Sequence, residues 1–160
     1  MQILCFNQNM IIKFTVGNFL SFKENQTFSF VAKKKDTSHK DFVIKTQKDN
    51  FVRVAAIYGA NASGKSNFTK AFAFLRTFVL NGLKQLENLA IPVEPFLLSN
   101  ETEGKPSFFE LEILIDKETF IYGFEASNQK VFKEWLYQYP NRKVLFDRRN
   151  DIINSQGEHF

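Results

Sequence analysis

The sequence predicts an α/β fold of α+β character: a mixed sheet with antiparallel hairpins around one strand–loop–helix unit. Three observations predict it. The run FVRVAAIY (51–58) is apolar and β-prone and ends on Gly59, as a strand buried on both faces should. From Lys65 the apolar spacing lengthens from that of a strand to that of a helix. From Ser107 onward the chain alternates around short turn sequences, as hairpins do.

Taken in order, residues 1–9 read as an N-terminal extension, because Met10 opens the β-like MIIKFTVGNF. Ile11–Val16 and Gln26–Val31 alternate and read as strands, joined by turn formers in Gly17–Asn25. KKKDTSHKD (33–41) reads as a polar surface loop and FVIKTQ (42–47) as a short strand. Phe68, Ala71, Phe72, Leu75 and Val79 fall on one helical face, with a stop at Asn81-Gly82. SFFELEILID and ETFIYGFEA flank Asp116-Lys117 as one hairpin, and KVFKEWLYQYP and RKVLFDRR flank Pro140-Asn141 as a second.

At 160 residues the chain has the length of one ordinary domain. Its hydrophobic share of 44% and charged share of 24% fit a folded chain and exclude a disordered tail. The 20 phenylalanines are spread along the whole length, which argues for packing rather than a local stacking platform. One cysteine, Cys5, cannot close an internal disulfide, so a cytoplasmic location is the expectation. His39 and His159 form no metal cluster, and no apolar run reaches the length of a membrane span. The net charge of +4 permits an acidic partner without requiring one.

GANASGKS satisfies G-x-x-x-x-G-K-[ST] at Gly59, Gly64, Lys65 and Ser66, between an expected strand and an expected helix. That setting is what a phosphate-cradling loop needs. Glycines let the chain wrap closely, so that N–H groups from about Asn61 to Ser66 turn toward phosphate oxygens. The helix start adds its positive dipole end. Lys65 supplies a charge to the β- and γ-phosphates, and the Ser66 hydroxyl is the Mg²⁺ ligand. The expected binding set is Gly59, Ala60, Asn61, Ala62, Ser63, Gly64, Lys65, Ser66 and Asn67, with ATP and Mg²⁺ as cofactors. The Asn-Lys-x-Asp tetrapeptide that reads guanine is absent, which favours ATP.

Hydrolysis also needs an acid at the end of a second buried strand. Asp116, which ends EILID 51 residues after Lys65, is the candidate in this chain. Glu112 interrupts the apolar run, and an alternating strand follows Asp116-Lys117 at once, so a hairpin turn is the preferred reading. SQGE (155–158) is read as a turn rather than as a signature sequence.

FTVGNFLSF, then IYGANASGKSNF with Asn67 directly after the serine, then FELEILID, FIYGFEA, EWL and VLFDR, resemble the N-terminal lobe of ABC-like AAA-family ATPases. These are relatives of the RecF, SMC and OLD proteins, many of them in bacterial anti-phage or abortive-infection systems. The resemblance spans about residues 10–150. It implies a P-loop NTPase lobe of ABC-ATPase type over 10–160, with Walker A in this chain. The signature, Walker B and a switch histidine would belong to a C-terminal lobe that is missing here. It also implies a homodimer or larger assembly and an effector partner, and it brings the Ser21–Lys23 turn near the adenine. Asn67 is carried over as a phosphate or Mg²⁺ position.

Two alternatives stay open. One is a complete small P-loop phosphotransferase with Asp116 as its metal acid, and the other a non-catalytic nucleotide-gated module. Lys33–Lys35 with Lys40, and Arg142, Lys143, Arg148 and Arg149, could contact nucleic acid, but a solvated surface is the preferred reading of both groups, with Asp36 and Asp41 interleaved in the first. Trp135, Tyr137 and Tyr139 share one strand face and suggest sheet packing or a protein interface.

Overall fold

Alternation in Met10–Gly17 (β1) puts Phe14 and Val16 on one face, fully buried, and Lys13 and Thr15 on the other. That two-faced pattern propagates across a sheet whose neighbouring strands are all antiparallel. The computed structural model describes residues 9–33, 40–46, 49–81, 90–150 and 152–155. Within these, β2 (Gln26–Ser29), β5 (Ser107–Ile115), β6 (Glu118–Ala126), β7 (Val131–Tyr139), β8 (Lys143–Arg149) and β9 (Ile152–Asn154) join β1 in the order β2-β1-β5-β6-β7-β8-β9. A separate two-stranded ribbon pairs β3 (Val43–Lys45) with β4 (Asn50–Val52), after a 3-10 turn at Lys40–Phe42. The chain is thus mixed α/β, with a mostly antiparallel fold and one α-helix, α1 (Lys65–Asn81), among the described residues. No helix among the described residues is long and apolar enough to cross a membrane.

The helix lies on the buried face of the sheet. Phe68 and Phe72 meet the Phe14 ring edge-on at 5.6 and 5.3 Å, Phe74 contacts Phe109 at 5.0 Å, and Phe78 stacks on Phe124 at 4.0 Å. Ile91 and Val93 from the following extended segment complete this core. A smaller cluster of Ile12, Phe51 and Leu114 anchors the ribbon to the far end of β1.

Both expected hairpins form. Asp116 and Lys117, with φ of 48° and 74°, make the two-residue turn between β5 and β6, the left-handed geometry that matches strand twist. Trp135 belongs to sheet packing. Its ring covers Gly123 on the neighbouring strand so closely that an added Cβ would lie 2.4 Å from Cζ2 and 2.8 Å from the Phe109 carbonyl oxygen. Its Nε1 donates to Glu110 at 3.2 Å. Burial pushes the Glu110 carboxyl above its ordinary range, against the opposing pull of that hydrogen bond.

Four expectations need correction. The strand through 51–58 stops at Val52; residues 54–60 form no element, and Val54 and Tyr58 are 67% and 90% exposed. A β run needs a ladder on its flank, and among the described residues no strand pairs with this stretch. For the same reason the sheet is antiparallel rather than mixed. Gln26–Val31 pairs only to Ser29, with Val31 reduced to an isolated bridge to Phe51. Val79 is 51% exposed, and Phe74 and Phe78 carry the helix contact in its place. Residues 1–8, 34–39, Gln47, Gly82 and 156–160 are among those outside the described residues. With them lie most of the extension, part of the lysine loop, the end of the expected strand 42–47, the glycine of the helix stop and most of SQGE.

Candidate functional site

The loop Gly59–Gly64 leads directly into α1. Lys65, the first helical residue, folds back over it: Nζ donates to the carbonyl oxygens of Gly59 at 2.7 Å and Ala60 at 2.6 Å, with Ser63 Oγ at 3.4 Å. The ammonium therefore clasps the carbonyl side of the loop. Ala62 and Gly64 take left-handed backbone, with φ of 64° and 91°, the device by which N–H groups in a tight loop converge on one side. Phe68 N–H bonds to the Gly64 carbonyl at 3.0 Å. The N–H groups of the turn before it have no carbonyl one helical turn back and are available to an anion. Ser66 is exposed on that first turn.

Asn67, carried over from the resemblance as a phosphate or Mg²⁺ position, turns its side-chain amide toward the turn after β1. Its Nδ2 donates to Ser21 Oγ at 3.0 Å. A Cβ on Gly64 would lie 2.9 Å from the same oxygen, and the φ of 91° there is one that residues with a side chain rarely adopt. Ser21 sits in a tight turn after β1, closed by reciprocal bonds between Phe19 and Phe22 at 3.0 and 2.8 Å. Beside the loop this turn helps form a shallow cavity of about 210 Å³, walled by Phe22, Phe28, Tyr58 and Phe68 and floored by Gly64 and Lys65.

Asp116 is far from this arrangement. Met10 pairs with Leu114 and Gly17 with Phe108, so the Asp116 turn and the Ser21 turn lie at opposite ends of β1, about 25 Å apart along the strand. The basic residues near the second hairpin do not form one patch. Arg148 pairs with Glu134 at 2.9 Å, Arg149 with Asp147 at 3.3 Å, and Arg142 lies over the Tyr137 ring at 5.2 Å.

One residue that supports the site gave no functional signal in the sequence. Asn18, buried and at φ 46°, follows β1 and ties three segments together. Its Nδ2 donates to the Lys105 carbonyl at 2.9 Å, its Oδ1 accepts from Phe96 N–H at 3.1 Å, and its own carbonyl accepts from the Ser107 hydroxyl. The available clue was a Gly-Asn pair after a strand, a local turn signal that cannot report partners 78 to 89 residues away. Asn18→Ala should cost about 2 kcal/mol, since it strands a buried N–H and carbonyl at a left-handed position. Urea unfolding followed by tryptophan fluorescence checks this.

The clasped loop thus opens α1 beside an apolar cavity at the edge of the core, and a family match gives it a nucleotide-binding, ATPase-like setting. Residues 54–154 match the family of AAA domains described with the AbiEii toxin of type IV toxin–antitoxin systems, and the chain belongs to that family. The match begins just ahead of the loop and runs through β9, leaving β1–β4 outside it. No curated protein and no solved structure matches the chain.

Proposed function

We propose that the chain binds ATP·Mg²⁺ through Gly59–Asn67 as the N-terminal half of an ABC-like ATPase head. The observation that carries this reading is the Lys65 clasp on the Gly59 and Ala60 carbonyls at the start of α1. An ammonium beside the N–H groups that open a helix makes a surface of positive charge and donors, and a triphosphate is the ligand such a surface suits. Lys65 and the backbone from Asn61 to Ser66 would hold the β- and γ-phosphates, and the Ser66 hydroxyl would reach Mg²⁺. The metal would neutralise phosphate charge. The aromatic cavity beside the loop suits a purine ring, in keeping with adenine near Ser21–Lys23.

Two observations favour a split catalytic centre over a self-contained phosphotransferase. Asp116 stands at the far end of β5 in a turn. The apolar stretch Val54–Tyr58, directly ahead of the loop, has exposed side chains and no pairing strand among the described residues. A strand from a C-terminal lobe or partner subunit would pair there and bring the missing acid to the metal. In that assembly two heads would enclose two ATP molecules, and a toxic or anti-phage effector would read their closure.

ATP titration with and without Mg²⁺, followed by a phosphate-release assay, tests the proposal. The chain alone should bind ATP, and any residual turnover should be unchanged in Asp116→Asn. Turnover abolished by that substitution would overturn the split-centre reading and favour the self-contained phosphotransferase.

A further inference from the structure

We propose that Ser21 is a positioning residue for the phosphate loop, locking the first turn of α1 in its ligand-ready orientation before nucleotide arrives. The proposal rests on the nucleotide-binding reading above. Ser21 Oγ meets that region at two points on either side of Lys65-Ser66. It accepts the Asn67 amide at 3.0 Å and faces Gly64, where an added Cβ would come within 2.9 Å. On that reading the backbone N–H groups from Gly64 to Asn67 would face the anion, and their direction would follow the orientation of this short span.

The hydroxyl is presented from a rigid mount. Phe19 and Phe22 bond to each other through both backbone pairs, and Leu20 N–H donates to the Glu94 carbonyl at 2.9 Å. Phe19 is buried in the main core. Ser21 therefore links a fixed point of the sheet to the most conformationally demanding part of the chain. A loop ordered in advance spends less binding energy on its own ordering. The contact itself is solvent-exposed, and an exposed neutral hydrogen bond contributes little to global stability. Its effect should accordingly appear in ligand affinity rather than in unfolding.

The test is a double-mutant cycle with Ser21→Ala and Asn67→Ala in the whole chain, read by titration with ATP·Mg²⁺ and with inorganic triphosphate. Each single substitution should weaken both ligands about fivefold, and the double should lose no more than either single, because both remove the same link. Thermal midpoints should stay together across the set, while amide exchange at residues 64–68 in the ligand-free protein should quicken in Ser21→Ala. Independent losses multiplying to about 25-fold in the double would overturn the lock. So would wild-type affinity and exchange in Ser21→Ala alongside a dead Lys65→Ala, a result that leaves the nucleotide reading standing. Failure of the wild-type protein to bind ATP or triphosphate would end both.

Discussion

Lys65→Ala should weaken ATP·Mg²⁺ binding by about 100-fold, the value of a charge-assisted contact to phosphate lost in full. Two effects add. The ammonium is the positive charge on the clasp, and its removal leaves the β- and γ-phosphates facing backbone dipoles alone. It also holds the Gly59 and Ala60 carbonyls at 2.7 and 2.6 Å, so without it those oxygens are free to rotate toward the anion and repel it. Global stability should barely change, because these contacts are exposed and water replaces them. Lys65→Arg should not rescue binding. A planar guanidinium cannot repeat the point-like donation of an ammonium to two adjacent carbonyls within so short a loop. Calorimetric titration, with far-UV circular dichroism to verify the fold, checks all three outcomes; ATP affinity in Lys65→Ala within twofold of wild type would remove the basis for the proposed function.

Local and tertiary information divide clearly in this chain. The loop was legible because its requirements are local: glycine at Gly64 for a φ of 91°, a lysine directly after it, then a helical period. The Asp116-Lys117 turn was legible for the same reason, being a two-residue connection between alternating runs. What misled was hydrophobicity taken as burial. FVRVAAIY has the composition of a central strand, yet a strand exists only where a neighbour supplies hydrogen bonds, and the described residues supply none beyond Val52. Val79 failed on a finer point. The helix meets a sheet, and the face it buries turned out centred on Ala71, Leu75 and Phe78. Asn18 was least legible of all, because its partners lie many tens of residues away and its own neighbourhood shows only turn chemistry. The Ser21–Lys23 turn was marked by the resemblance alone, and nothing local pointed to its contact with Asn67.

Phe109→Ala should cost about 4 kcal/mol, the largest stability loss of any truncation considered, through lost burial and the cavity left behind. Its side chain is fully buried at the centre of the sheet–helix interface, with rings of Phe19, Phe74 and Phe124 at 5.1, 5.0 and 5.0 Å. Ring edges and faces are fixed on three sides, so the site cannot collapse without moving the turn after β1, α1 or β6. Leu98→Ala, at a side chain 88% exposed, should by contrast stay within about 0.5 kcal/mol. Guanidinium unfolding of both variants measures the difference. Against a typical total of about 5–15 kcal/mol, the first loss leaves a folded majority. In that majority the loop should be intact: the first turn of α1 rests on Phe14 through Phe68, and the Ser21 turn, though Phe19 loses a ring neighbour, keeps its Phe19–Phe22 and Leu20–Glu94 backbone bonds. Saturating ATP should then raise the unfolding midpoint of Phe109→Ala and of wild type by equal free energies, since the ligand term depends on affinity and concentration alone. A smaller ligand shift in the variant would mean that the central aromatic stack, and not only the Ser21 turn, sets the geometry of the phosphate loop.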